Sequence, residues 1–363
     1  PKGDLKRAMT QLEPGESWAL LPKNIDNNPH IWTPGIKWGV QPGSFTHLTE
    51  FFGPLLGVMC AEDLGHAIKM VNQTGYGLTS GLESLDRREH DFWKKRIRAG
   101  NLYINRQTTG AIVLRQPFGG MGKSALGAGI KAGGPNYVFQ FMDFEDVGFP
   151  MAGPIQNDDP LLQLVQEWKL KQDWGRLEAS KTDLIRVIRA VKSYLYYWEQ
   201  EFSQEKDYFH LRGQDNVVRY LPIGTVVIRI HQSDSLFDAL ARIAAARIAG
   251  CETCVSLPTG LNNKVTTFLY CNRGQRFLDD VPIIHQSDED LIEMIPEIHR
   301  VRYASPERVP DKIFQAAAET GFFISRSKVS MEGRIELLQY FQEKSVCFNY
   351  HRCGNLGERA LTY

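Results

Sequence analysis

Between residues 55 and 104 short apolar runs alternate with amphipathic segments, and this alternation most limits what the chain can fold into. Leu55-Leu56-Gly57-Val58-Met59-Cys60 is nearly all apolar, the pattern of a strand covered on both faces. Leu64, Ala67, Ile68 and Val71 then share one helical face, with Gly75 just past its end. Residues 78–82 read as a strand, 87–98 as a charged helix and 101–104 as another strand. Alternation at this spacing predicts a parallel α/β sheet. The theme returns as a strand at 226–230, a helix at 236–248 closed by Gly250 and a strand at 254–257. A strand at 301–304, a helix at 311–320 and a strand at 322–325 continue it. Between the two blocks, Leu184, Val187, Ile188, Val191, Leu195 and Trp198 mark one helical face.

The expected organisation is therefore an α/β unit over 1–150, a helical connector over 151–212 and a second α/β unit over 213–363. Residues 1–45, rich in Pro, Gly and Asn, predict irregular connections with short strands. Residues 137–147 predict an exposed strand, Leu337, Leu338 and Phe341 a final helix, and 349–363 a polar tail over a surface. The cluster Tyr194, Tyr196, Tyr197 and Trp198 has no basic patch around it, so helix packing or an interface accounts for it better than a binding box.

Bulk numbers remove several function classes. With 363 residues, the chain supports a sizeable core; 42 basic and 42 acidic residues leave no net charge and no electrostatic ground for nucleic-acid binding. No apolar run reaches the roughly 18–20 residues that span a bilayer, and no signal-peptide pattern opens the chain. Six scattered cysteines fit a reducing cytosol, so the expected location is cytoplasmic. Pro1 in place of methionine suggests a piece of something longer.

Chemistry concentrates at residues 105–124, NRQTTGAIVLRQPFGGMGKS. Thr108-Thr109-Gly110-Ala111 is a small-residue loop, where backbone can approach a ligand and neighbouring N–H groups can bind an anion. Phe118, in the turn Pro117-Phe118-Gly119-Gly120, can wall an apolar substrate chain. On local chemistry alone, a tight loop between packed elements is the favoured account. Glu50, before the Gly53-Pro54 turn, can accept hydrogen bonds from ribose hydroxyls, and Phe52 can pack on a nicotinamide ring. An acidic residue before a turn is commonplace, so this signal alone is weak.

Together, EFFGP at 50–54, AGNLYINR at 99–106 and PFGG at 117–120 resemble the last third of the catalytic domain of the aldehyde dehydrogenase superfamily. TTGAIV followed by RQPFGG, with TPGIKWGVQPGSFTHLTE and GIKAGGPNY, is similar to the L-glutamate γ-semialdehyde dehydrogenase branch. Within it, the bifunctional proline utilization proteins are most similar, over roughly residues 1–147. The resemblance implies that Glu50 binds the nicotinamide ribose of NAD and that Phe52 contacts its nicotinamide end. Gly110 and Ala111 would hold the α-carboxylate of L-glutamate γ-semialdehyde, and Phe118 would pack on its methylenes. It also implies a parent protein whose N-terminal remainder carries an FAD-dependent proline dehydrogenase. Such a parent would form a homo-oligomer, with 137–147 as an interface strand, and could attach peripherally to a membrane through that missing part.

The chain departs from the family where the chemistry is hardest. The nucleophilic cysteine of a GQxC-type motif and the glutamate base of an ELGG-type motif are both missing. Gly274-Gln275-Arg276-Phe277 carries phenylalanine where the cysteine would stand and lies far past its place. Cys60 lies in an apolar run, and Cys251 and Cys254 form a lone CxxC before a buried strand; all three are expected to be structural. Gly127–Ala132 satisfies GxGxxA but lacks the strand and helix that a dinucleotide fingerprint needs. No histidine sits in an HxH or HExxH pattern, so no metal site is expected.

Residues from 213 resemble a degenerate copy of the family's NAD-binding domain. His231-Gln232-Ser233-Asp234-Ser235 replaces a PWNFP-like segment, and Leu257, ahead of Pro258, replaces a ribose-binding lysine. The closing residues 333–360 resemble the end of the non-catalytic domain carried by longer members. The implied role is structural, covering a channel for the intermediate. A non-enzymatic lid and assembly module is the alternative function for the whole piece.

Overall fold

The computed structural model describes residues 3–156, 159–170, 181–351, 356 and 359. Contacts group the chain into two units, residues 1–108 with 120–124 and residues 109–119 with 125–363. The architecture is mixed α/β in both.

The first unit opens on helix α1 (Gly3–Thr10), built from good helix formers with Ala8 and Met9 buried. This corrects the expected irregular opening: flanking glycine and proline obscured a short helical segment. Strand β1 (Ser17–Leu20) runs antiparallel to β2 (Gly35–Trp38). Helix α2 (Phe45–Leu48) leads to β3 (Leu55–Val58), which pairs with β2 in parallel. Next come α3 (Leu64–Gln73), β4 (Tyr76–Gly77), β5 (Thr79–Leu82), α4 (Arg87–Arg96), β6 (Asn101–Ile104) and β7 (Met121–Gly122). Asp63 and Asp86 start α3 and α4 by accepting from His66 N at 2.7 Å and Arg88 N at 2.8 Å. β5 and β6 pair in parallel, with all four residues of β6 buried, and β4 pairs antiparallel with β7.

Two expectations fail here. The elements from 55 to 104 do not share one sheet: β3 belongs with β1 and β2, while β5 and β6 lie in another. Nor is β3 covered on both faces. Leu20 and Leu56 flank Ile36 across the sheet, and Leu56 is 56% exposed. Cys60 lies beyond the end of β3 and is exposed, so the expectation of a cysteine inside an apolar strand is also corrected.

In the second unit, residues 137–141 form a 3₁₀ turn rather than the expected strand, and 142–155 follow without regular structure. Local bonds explain the turn: Tyr137 N donates to Gly134 O, Phe139 N to Asn136 O and Met142 N to Phe139 O. Tyr137 then packs edge-on against Phe141 at 5.6 Å. Helices α5 (Pro160–Leu170) and α6 (Lys181–Tyr197) follow, and a π-helical turn extends α6 to Phe202. Leu184, Val187, Val191 and Leu195 are buried as the 3.6-residue period requires, and Tyr194 is core, its hydroxyl donating to Ser330 O at 2.5 Å.

Beyond the helices lie β8 (Lys206–Asp207), β9 (Gln214–Pro222), β10 (Thr225–Arg229), α7 (Leu236–Ala249) and β11 (Glu252–Leu257). Then follow α8 (Lys264–Leu269), α9 (Asn272–Leu278), β12 (Ile283–His285), α10 (Asp288–Met294), β13 (Arg300–Arg302) and α11 (Asp311–Thr320). The chain closes through β14 (Ile324–Ser325), α12 (Gly333–Glu336) and β15 (Phe341–Asn349). α7 forms for clear reasons: it is alanine-rich, Ser235 and Asp238 make a capping box, and Gly250 ends it at φ 77°. The five parallel strands take the order β12-β11-β10-β13-β14, which is 3-2-1-4-5 in sequence and marks a doubly wound sheet.

The expected final helix is a further correction. α12 and a 3₁₀ turn over 337–339 end before Phe341, which begins β15. β15 runs antiparallel to β9 over nine residue pairs, from Phe341 opposite Pro222 to Asn349 opposite Gln214. Most of the expected surface tail, including Cys353, lies outside the described residues.

Candidate functional site

The cofactor candidates lie in the first unit. Ser44 caps α2, and His47 fixes that helix: its Nδ1 accepts from Gly43 N at 2.9 Å and its Nε2 donates to Met70 O at 2.9 Å. The two contacts together require the Nε2–H tautomer. Glu50 follows directly and is exposed, on the lining of a cleft of about 500 Å³ with His47, Met59, Met70, Tyr76 and Thr79. Among the described residues it is the carboxylate of that lining. Phe51 is half-buried against Phe45 at 5.4 Å, whereas Phe52 is 88% exposed. A Cβ at Gly53 would stand 2.5 Å from Leu5 Cδ1, so the Leu5 side chain would have to shift to admit one.

The substrate candidates lie in the second unit. Gly110 and Ala111 are exposed, and Gly110 takes φ 102°, a conformation side-chain-bearing residues avoid. A tight hairpin follows, with Gln116 N donating to Ile112 O at 2.7 Å and Leu114 at φ 59°. Leu114 N donates to Gly133 O at 2.7 Å, and a Cβ at Gly133 would meet Val113 Cα at 3.2 Å. Glycine is therefore what lets the 131–134 loop close over the hairpin. Phe118, half-buried, exchanges two 2.9 Å backbone bonds with Ala132.

The region beneath the hairpin is polar and tightly stitched. Gln116 Nε2 donates to Asn216 Oδ1 at 3.1 Å, and Ser345 Oγ donates to Pro117 O at 2.7 Å. Glu343 accepts from Lys131 N at 2.7 Å and from Asn136 Nδ2 at 2.6 Å, and Asn136 Nδ2 also reaches Tyr220 Oη at 2.7 Å. Burial pushes the Lys131 ammonium down to about 7 despite the nearby Glu343 carboxylate. Local sequence gave one sign of Lys131, a single charge in a glycine-rich run; its partner Glu343 lies 212 residues away.

The cysteines behave differently from one another. Burial raises the thiols of Cys251 and Cys254 to about 11, and Cys251 donates to Tyr340 O at 3.3 Å, so both remain protonated and packed. Phe277 is fully buried in the core, as befits a chance match to a nucleophile motif. Gly127 and Gly129 take φ 89° and 82° in irregular backbone; no strand leads directly into the GxGxxA match, nor does an α-helix open from it.

The doubly wound sheet carries its own surprise at the point where a dinucleotide would enter, between β10 and β13 beyond their carboxyl ends. Arg242, from α7, fills that point. Its Nη1 donates to Arg229 O and to Arg302 O, each at 2.9 Å, so it spans the carbonyls that end the two strands. Its Nη2 pairs with Asp234, and both side chains have no exposure. Asp234 also receives Arg308 Nη1 at 2.7 Å. Leu257, standing where the resemblance expects a lysine, is fully buried.

Residues 6–147 match the profile of the aldehyde dehydrogenase family. The relatives narrow the branch. The 1-pyrroline-5-carboxylate dehydrogenase of Geobacillus thermodenitrificans is 40% identical over 149 residues, which are 40% of this chain and 28% of that one. The bifunctional protein PutA of Rhizobium meliloti is 43% identical over 134 residues, covering 36% of this chain and 11% of its own. The solved structure of proline utilization A (PutA) from Corynebacterium freiburgense superposes on 98% of this chain with a TM-score of 0.74 at 34% identity. The chain spans 31% of that protein, and between a tenth and a third of each of these relatives. No helix among the described residues is long and apolar enough to cross a membrane.

Proposed function

We propose that this chain is the C-terminal portion of a proline-catabolic enzyme that oxidises L-glutamate γ-semialdehyde to L-glutamate with NAD. The observation that carries the proposal is the exposed Gly110-Ala111 backbone, bent at φ 102° and braced by the hairpin behind it, in a sequence similar to 1-pyrroline-5-carboxylate dehydrogenases. Backbone N–H groups at such a bend suit an α-carboxylate, and Phe118 suits the methylenes between that carboxylate and the aldehyde. Glu50 would accept from the ribose hydroxyls of NAD, with Phe52 at the nicotinamide end. NAD, when bound, accepts the hydride. The cysteine that attacks the aldehyde and the base that releases the acid come from the N-terminal remainder of the parent, together with FAD-dependent proline oxidation.

The proposed division is a partial catalytic domain at 1–150, a connector at 151–212 and a non-catalytic domain at 213–363. The parent would act in the cytoplasm as a homo-oligomer, attached peripherally to a membrane where its flavoprotein part makes the contact. A second reading, a lid and assembly module, is favoured for residues 213–363 by the side chain that fills their dinucleotide entry point.

Following NADH formation with the semialdehyde tests the proposal directly. The segment alone is expected to give no turnover, and the full-length protein carrying it is expected to turn over. Activity of the segment would show that the nucleophile is present after all; inactivity of the full-length protein would overturn the functional reading. In the full-length enzyme, Glu50→Gln keeps the shape and removes the charge that strengthens a bond to ribose. A rise in KM for NAD of about tenfold is expected, at little cost in KM for the aldehyde.

A further inference from the structure

We infer that Lys131 is a positioning residue for the substrate's carbon chain, acting through the Phe118-Gly119 turn. The geometry is specific. Lys131 is 1% exposed, and its Nζ donates to Gly119 O, the carbonyl directly after Phe118. Its neighbour Ala132 holds the Phe118 backbone by both of its hydrogen-bonding groups at 2.9 Å. Lys131 therefore grips the turn with its side chain while the adjoining peptide grips it with its backbone. The fit is close, since a Cβ at Gly119 would meet Lys131 Cγ at 3.3 Å. Gly119 thus leaves room for the lysine stem to lie flat beneath the turn.

The lysine is itself anchored. Its backbone N–H donates to Glu343 Oε2 at 2.7 Å, and its carbonyl accepts from Gly134 N at 3.0 Å. Glu343 is buried in β15, held also by Asn136, which in turn accepts from Arg334 Nη2 at 2.5 Å. An ordinary core position would carry leucine or methionine here, because burying an ammonium costs far more than burying a methylene chain. The cost is met by giving the charge a carbonyl whose position decides where Phe118 stands. Burial drives Lys131 toward its neutral form, and in either form its Nζ–H can donate to Gly119 O.

This rests on the proposal that Phe118 lines the substrate's chain. In the full-length protein, Lys131→Met keeps the length and apolar stem and removes the donor. The expected result is a rise of about tenfold in KM for the semialdehyde, with kcat and KM for NAD within about twofold of wild type. Lys131→Gln, which restores a shorter N–H donor, is expected to recover part of the loss. A fall in kcat with unchanged KM, equal losses in both KM values, or a Lys131→Met chain without a cooperative thermal transition would each overturn the inference in favour of a purely structural lysine. Wild-type turnover of the semialdehyde is measured first. Its absence sinks the functional reading, whereas normal wild-type turnover beside an unaltered Lys131→Met KM sinks this inference alone.

Discussion

Replacing Arg242 with methionine is expected to destabilise the second unit by about 3–5 kcal/mol, the cost of removing one partner from a buried charge pair. The Arg242–Asp234 pair has no exposed surface, and Asp234 would keep only Arg308 and the His231 N–H. Two carbonyls would also lose their donor at the ends of β10 and β13. Each such loss adds a desolvation penalty, because water does not reach the site. Urea unfolding followed by circular dichroism reads the effect as a lower midpoint. A companion change of Asp234→Asn should recover part of it, since a neutral amide costs less to leave half-paired. A loss below about 1 kcal/mol for Arg242→Met would show that the guanidinium is not what closes the switch point.

The same arrangement explains why this domain, despite a dinucleotide-binding strand order, is a poor candidate for NAD. A cofactor entering between β10 and β13 would have to displace a guanidinium that bonds both strands. Strand order permits a site, and the side chains at its mouth decide whether one exists.

Gly110→Val in the full-length enzyme is the second large expected effect. Gly110 sits at φ 102°, where a β-branched residue incurs about 1–3 kcal/mol of backbone strain. The chain would relax by rotating the peptide, which would redirect the N–H groups of Gly110 and Ala111. KM for the semialdehyde should rise about 10- to 100-fold at 1.4 kcal/mol per decade. KM for NAD should stay near wild type, because Glu50 belongs to a different loop. A Gly110→Val enzyme with wild-type KM for the semialdehyde would remove these two residues from the carboxylate anchor.

Much of the fold was legible locally. Alternating apolar runs located β5, β6, β10, β11 and β13, and helical periodicity located α4, α7 and α11, within a residue or two, and the helical faces of α3 and α6 were also legible. These elements carry their own signals in caps, glycine stops and faces, such as Gly250 at the end of α7. β9 and β15 were missed because each is stabilised by the other across more than 100 residues. Neither alternates cleanly enough to stand out alone. The 137–141 turn misled for the opposite reason: its aromatic and polar residues alternate as a strand would, yet bonds three residues apart close it on itself.

For the candidate site, the sequence by itself determined the residue types: a glycine and alanine that can present backbone, a phenylalanine beside two glycines, and a carboxylate before a Gly-Pro turn. It also determined that the nucleophile motif is missing, because a motif is a local string. Tertiary structure alone decided which of these residues face solvent and what holds them. Phe51 turns inward and Phe52 outward, although both are phenylalanine. Lys131 is buried against Gly119 by a glutamate far along the chain, and Arg242 fills a switch point that only strand order creates. The physical reason is common to the last two. Burial and hydrogen-bond partnership belong to pairs of groups, and where the pairs are distant in sequence only the folded chain brings them together.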